Sequence, residues 1–157
     1  MIMIDCNAFL GGIKTLPPEK LVFRPAVYGL ILEDGRLLLG YISTTGKYCL
    51  PGGGVELGEP LEAALRREIK EETGLEVTAA QYLGFKEEFF YYDPLDEGFH
   101  SFLFFYRCHT HSLDLIPDDQ IDDAVVASLH WVPLASLHPD QFQCHGDLIL
   151  KLLKLLP

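Results

Sequence analysis

A chain of 157 residues is long enough for one domain around one sizeable core. Its composition, 48% hydrophobic and 22% charged, excludes wholesale disorder. The formal net charge of −11 disfavours nucleic-acid backbones and anionic membranes as partners, and it also repels phosphate-bearing small molecules unless a cation stands between.

The N-terminal stretch MIMIDCNAFLGGIK is apolar but has no basic leader, and Asp5 interrupts it. It reads as a strand or helix docked on the domain or at a subunit contact, not as a signal peptide. PAVYGLILEDGRLLLGYI holds two apolar runs around Asp34-Gly35, the pattern of a hairpin. KYCLPGGG reads as a short strand halted by Pro51 and three glycines. A helix is expected from about Glu59 to Thr73, with Pro60 in its first turn, a stripe of Leu61, Leu65 and Ile69, and Gly74 as its left-handed cap.

Strand-like runs follow: EVTAAQYLGF, EEFFYY and HSFLFFYRCH, the last two joined by the turn-like DPLDEG. LIPDDQIDD reads as an acidic loop, SLHWVPLASL as a strand passing into a helix, and DLILKLLKLLP as a final helix. Strands mixed with a few helices imply an α/β or α+β domain. No apolar run reaches the roughly 18 residues that span a bilayer. Cys6, Cys49, Cys108 and Cys144 are scattered without a CxxC pair, which fits reduced thiols in a cytoplasmic protein.

One stretch asks for a chemical explanation. Glu68, Glu71 and Glu72 fall on one helical face, where like charges repel. A solvated, charged face is one reading. The other is an open carboxylate site for Mg²⁺ or Mn²⁺, because a divalent cation converts that repulsion into attraction.

The wider spacing bears on this choice. From Gly53 the sequence runs glycine, five residues, Glu59, seven residues, then Arg67-Glu68-Ile69-Lys70-Glu71-Glu72-Thr73-Gly74-Leu75. This resembles the complete signature box of the Nudix hydrolase family (MutT-like), entered through Pro51-Gly52-Gly53. The Trp common before that proline is absent. WVPLASL also resembles the family's usual final strand and helix. The resemblance covers residues 21–157 as a single domain and leaves 1–20 as an N-terminal extension.

The resemblance implies an α/β/α sandwich with a mixed sheet. It implies metal-dependent hydrolysis of a phosphoanhydride in a nucleoside diphosphate linked to another group. The substrate would be a nucleotide sugar, ADP-ribose, a dinucleoside polyphosphate or a nucleoside triphosphate. Glu68, Glu71 and Glu72 would hold the metal with the Gly52 carbonyl, Gly53 would serve the turn, Arg67 would orient the glutamates, and Glu59 would support the site. A bridging cation would reconcile an acidic protein with an anionic substrate.

The box leaves the general base open. Glu72 is the first candidate, followed by Asp118, Asp119, Asp122 and Asp123 in the acidic loop, and by Glu87 and Glu88. In FFYYDP, Tyr91 and Tyr92 are candidates for a wall that stacks on a nucleobase, against the alternative of a buried aromatic strand. His109 and His111 form an HxH pair with no third ligand in sight. A catalytically silent nucleotide sensor on the same fold is the alternative function. An isomerase would need a context around Cys49 that is not present. A homodimer through the apolar N-terminus and final helix is a further expectation.

Overall fold

The computed structural model describes residues 2–157. In chain order the strands are β1 (Ile4–Ala8), β2 (Ile13–Leu16), β3 (Leu21–Glu33), β4 (Arg36–Ile42), β5 (Lys47–Cys49) and β6 (Gly52–Gly54), followed by helix α1 (Leu61–Thr73). Then come β7 (Val77–Tyr92), β8 (Glu97–Thr110), β9 (Val126–Pro133) and helix α2 (Gly146–Lys154). The sheet order is β2-β1-β7-β8-β3-β4-β5, with β6 added to β3 and β9 to β4. The β3–β8 and β1–β7 pairs are parallel and the rest antiparallel, so the sheet is mixed.

Strand alternation separates two cores. Ala26, Leu30, Leu37 and Leu39 join Phe105 under Ile149 and Leu152 of α2. Their neighbours Val27, Ile31 and Leu38 join Tyr106 and Cys108 under Ala64, Leu65 and Ile69 of α1. Side chains alternate across a strand, so one apolar run serves both faces. Each fully buried Leu or Ile contributes about 1.5–3 kcal/mol. The result is a helix on either side of a sheet, the expected α/β/α sandwich.

Several expectations are refined. Pro60 is the cap, in extended conformation, and α1 begins at Leu61. Gly74 closes it with φ 79°, its N–H bonding the Lys70 carbonyl. The segment after β9 forms only a short 3-10 turn, Leu134–Ser136. The N-terminal stretch is a β-hairpin that extends the sheet through the register Asn7↔Phe90 and Ala8↔Tyr91. The final helix turns Ile149 and Leu152 into the core, so its apolar face is largely occupied within the chain. Among the described residues no helix is long and apolar enough to cross a membrane.

Candidate active site

The site begins where β6 meets α1. Gly52 has φ 146°, and a Cβ there would lie 2.1 Å from the Val27 carbonyl oxygen. Only glycine passes so close to a neighbouring strand. A Cβ on Gly53 would lie 2.6 Å from Glu68 Oε2, so the loop runs directly against the helix carboxylates.

Arg67 is the hub of a half-buried network on the helix. Its Nε and Nη2 donate to the two oxygens of Glu59 at 2.8 and 2.9 Å, a two-point fork. Nη2 also donates to the Gly54 carbonyl at 3.1 Å, and Nη1 to Glu68 Oε1 at 2.8 Å and Glu71 Oε2 at 3.3 Å. Glu59, one residue before the helix cap, is thus tied to the middle of the helix. The Arg67 guanidinium, helped by the Glu56 N–H, pulls the Glu59 carboxyl down to about 2. The hydrogen bonds to Glu59 and Glu68 in turn raise Arg67 above its ordinary value, so it stays charged.

Glu72 has the opposite environment. It is only 5% exposed and accepts the Gly52 N–H at 2.9 Å through Oε2. Burial pushes its carboxyl well above the usual range, against the Gly52 hydrogen bond, and Asp123 and Glu68 push the same way. Asp123 reaches it from the acidic loop, held by the N–H groups of Val125 and Val126 at 2.7 and 2.8 Å. Asp118, Asp119 and Asp122 face solvent instead.

Glu72 and Asp123 sit in a cavity of about 350 Å³. The cavity continues along the sheet, and the registers give its layout. Tyr28 pairs with Gly52 at the glycine loop. Four residues earlier on β3, about 13 Å at about 3.3 Å per residue, Arg24 lies beside Ser101 and Ser101 beside Glu88. The next inward-facing row holds Phe99 and Phe90, which pair directly. Phe9, Tyr92 and Leu95 complete this aromatic end.

Glu88 Oε2 stands 3.1 Å from His145 Nε2, both side chains 11% exposed, and His145 Nδ1 lies 3.0 Å from Lys86 Nζ. Glu87 points to the other face and pairs with His100. Tyr92 lines the cavity, whereas Tyr91 is turned away with its hydroxyl on Asp96. The expected tyrosine wall is therefore reduced to Tyr92, because adjacent strand residues face opposite sides. His109 and His111 are exposed. Burial, with nearby Glu72 next, raises the Cys49 thiol and so favours its protonated form.

Of the three box glutamates, only Glu72 lines the cavity, while Glu68 and Glu71 are outside its lining and bonded to Arg67. Among the described residues no three His, Cys, Asp or Glu side chains close into a metal cage. The donors nonetheless suit a hard cation in an open site. Glu68 and Glu71 each keep one oxygen with no hydrogen-bond partner among the described residues, and Glu72 is buried there with no cationic partner. Sequence reasoning misses Phe9, Arg24, Phe99, Gln143 and His145. The one local signal among them is Arg24, a cation inside the apolar run LVFRPAVYGL.

A family model described as NUDIX domain matches residues 22–152. The nucleoside triphosphatase NudI of Enterobacter sp. (strain 638) is 31% identical over 125 residues, covering 73% of this chain and 85% of that protein. An ADP-ribose pyrophosphatase of Methanocaldococcus jannaschii is 42% identical over 76 residues, 45% of this chain and 45% of its own length. Among solved structures, a MutT NUDIX hydrolase from Burkholderia pseudomallei aligns with a TM-score of 0.62 at 27% identity, covering 86% of this chain and 99% of that one.

Proposed function

The chain belongs to the NUDIX hydrolase family, and from that premise we propose that it is a divalent-metal-dependent pyrophosphohydrolase of nucleoside diphosphates linked to a further group. It is a hydrolase acting on acid anhydrides. The relatives' names, a nucleoside triphosphatase and an ADP-ribose pyrophosphatase, fit a substrate with a nucleoside at one end and a phosphoanhydride at the other. The observation that carries the reading is Glu72: a buried carboxylate with no cationic partner among the described residues, facing Asp123 at the head of an aromatic cavity.

Glu68, Glu71 and Glu72, with the Gly52 carbonyl, would hold Mg²⁺ or Mn²⁺, which supplies charge compensation for phosphate oxygens and acidifies water. The chain's own residues do the rest. Arg67 fixes Glu68 and Glu71, so little reorganisation is needed when substrate arrives. Glu72 accepts the proton of the attacking water, with Asp123 beside it as a second acceptor. The water oxygen bonds to phosphorus, the bridging P–O bond breaks, and its electron pair leaves with the departing phosphate. Phe90, Phe99 and Tyr92 offer π-faces for a base. Arg24 supplies a positive charge between the glycine loop and those aromatic faces.

The test is a hydrolysis screen of nucleoside diphosphate derivatives with Mg²⁺ or Mn²⁺, with both products identified, using wild type and Glu72→Gln. Cleavage of one class, abolished by chelation and by the substitution, supports the reading. A folded, metal-binding wild type that cleaves none of them rejects it in favour of a sensor.

A further inference from the structure

The hairpin of β1 and β2 lies outside the residues matched by the family model, which begins at residue 22. Its tip is nevertheless part of the cavity wall, because Phe9 lines the cavity and is 7% exposed. The tip is held there from three directions. Phe9 N–H donates to the Tyr91 carbonyl at 2.9 Å. The Leu10 N–H donates to Asp93 Oδ2 at 2.9 Å. Gln143 Nε2 donates to the Phe9 carbonyl at 2.7 Å, linking the first strands to the segment before α2. The Phe9 ring meets Tyr92 edge-on, with centroids 5.3 Å apart.

A loop restrained this way is not a passive extension. It sits at the aromatic end, beyond the Arg24–Ser101–Glu88 row and away from the glycine loop. Gln143 carries a second observation. With Nε2 donated to Phe9, its Oε1 is buried and has no hydrogen-bond partner. A buried acceptor in a cavity wall favours a ligand that brings a donor.

Building on the hydrolase reading, we propose that the β1–β2 tip is the specificity element of this enzyme. Phe9 closes the aromatic end around a nucleobase, and Gln143 is the positioning residue that holds the tip and offers its carbonyl oxygen to a base N–H. The group recognised at this end is a flat, nitrogen-bearing ring, not a sugar. The hydrogen bonds and ring contact of Phe9 run to Tyr91, Gln143 and Tyr92 and not to the box residues, so its effect falls on binding and not on the chemical step.

The experiment compares AMP with ribose 5-phosphate as binding probes, by calorimetry, in wild type, Phe9→Leu and Phe9→Ala. Phe9→Leu keeps an apolar side chain and removes the π-face, which guards against simple unfolding, and thermal melting confirms the fold. The expected result is AMP binding weakened about tenfold in Phe9→Leu, in line with base–aromatic stacking, with more loss in Phe9→Ala and ribose 5-phosphate unchanged. Equal weakening of both probes, or of neither, overturns the proposal. For any nucleoside diphosphate derivative the wild type cleaves, KM rises in parallel and kcat stays within about twofold. A wild type that cleaves nothing fails the hydrolase reading, while the AMP comparison still decides the role of the tip.

Discussion

On the helix side of the site, Arg67, Glu68, Glu71 and Glu72 come from two turns of a single helix, and one glycine loop completes them. At the other end, Phe9, Arg24, Glu88, Phe99 and His145 come from five separate segments. The first end is rich in charge and tightly cross-bonded. The second is mostly aromatic, with a single buried Glu–His contact. Local spacing sets the first and sheet register the second. The difference suggests a division of labour, with chemistry on the helix and selection of the substrate's far group on the strands. Substitutions at the helix should therefore lower kcat, and substitutions at the strands should raise KM.

Four changes press on that division. Glu72→Gln is the most severe: it should lower kcat at least a hundredfold with the fold intact, the scale of removing one preorganised electrostatic group. If steady-state kinetics show only a KM change, the division fails at its strongest point. Gly53→Ala comes next. The new methyl would push on the Glu68 carboxylate at 2.6 Å, and that flexible tip can yield only by disturbing its bond to Arg67. A fall in kcat of about tenfold is expected, with little loss of melting temperature, since the side chain that moves is not core.

At the far end, Glu88→Gln keeps the shape but removes the charge facing His145. KM should rise about tenfold and kcat should hold within about twofold, while a kcat loss comparable to that of Glu72→Gln would merge the two ends into one. The smallest effect concerns stability alone. The Arg67 guanidinium holds Glu59 at about 2, below the ordinary 4.5, so this carboxylate stabilises the fold above pH 4.5 and the contribution fades as pH falls toward 2. Thermal melting across that window should show a steeper decline in wild type than in Glu59→Gln. Parallel curves would mean that the half-buried fork adds nothing measurable.

Much of the helix end was legible because its partners are neighbours in sequence. Three and four residue spacings place Glu68, Glu71 and Glu72 on one face, and Arg67 stands within reach of Glu68 and Glu71. What spacing alone could not give was their unequal fate. Glu72 is buried beside Asp123, while Glu68 and Glu71 sit on Arg67, and that follows from which side of α1 meets β6 and the acidic loop. Four aspartates in that loop looked alike, and only Asp123 is turned inward by the N–H groups of Val125 and Val126. Tyr91 and Tyr92 also looked equivalent, yet strand alternation sends one to Asp96 and the other into the cavity.

By itself the sequence determined the β3–β4 hairpin around Asp34-Gly35, helix α1 with its glycine cap, and the glycine loop that carries the box. Each of these rests on contacts a few residues apart or on a period of 2 or 3.6, which a linear string displays directly. The tertiary structure alone decided the far end: the Arg24–Ser101–Glu88 row, the His145 contact, and the hairpin tip that brings Phe9 to Tyr92. Arg24 meets Ser101 through the parallel pairing of β3 with β8, and Phe9 reaches Tyr92 through that of β1 with β7, while Glu88 joins the row across the antiparallel β7–β8 pair and His145 arrives from the segment before α2. Parallel strands are joined by long connections, so their register leaves no short-range trace in the sequence.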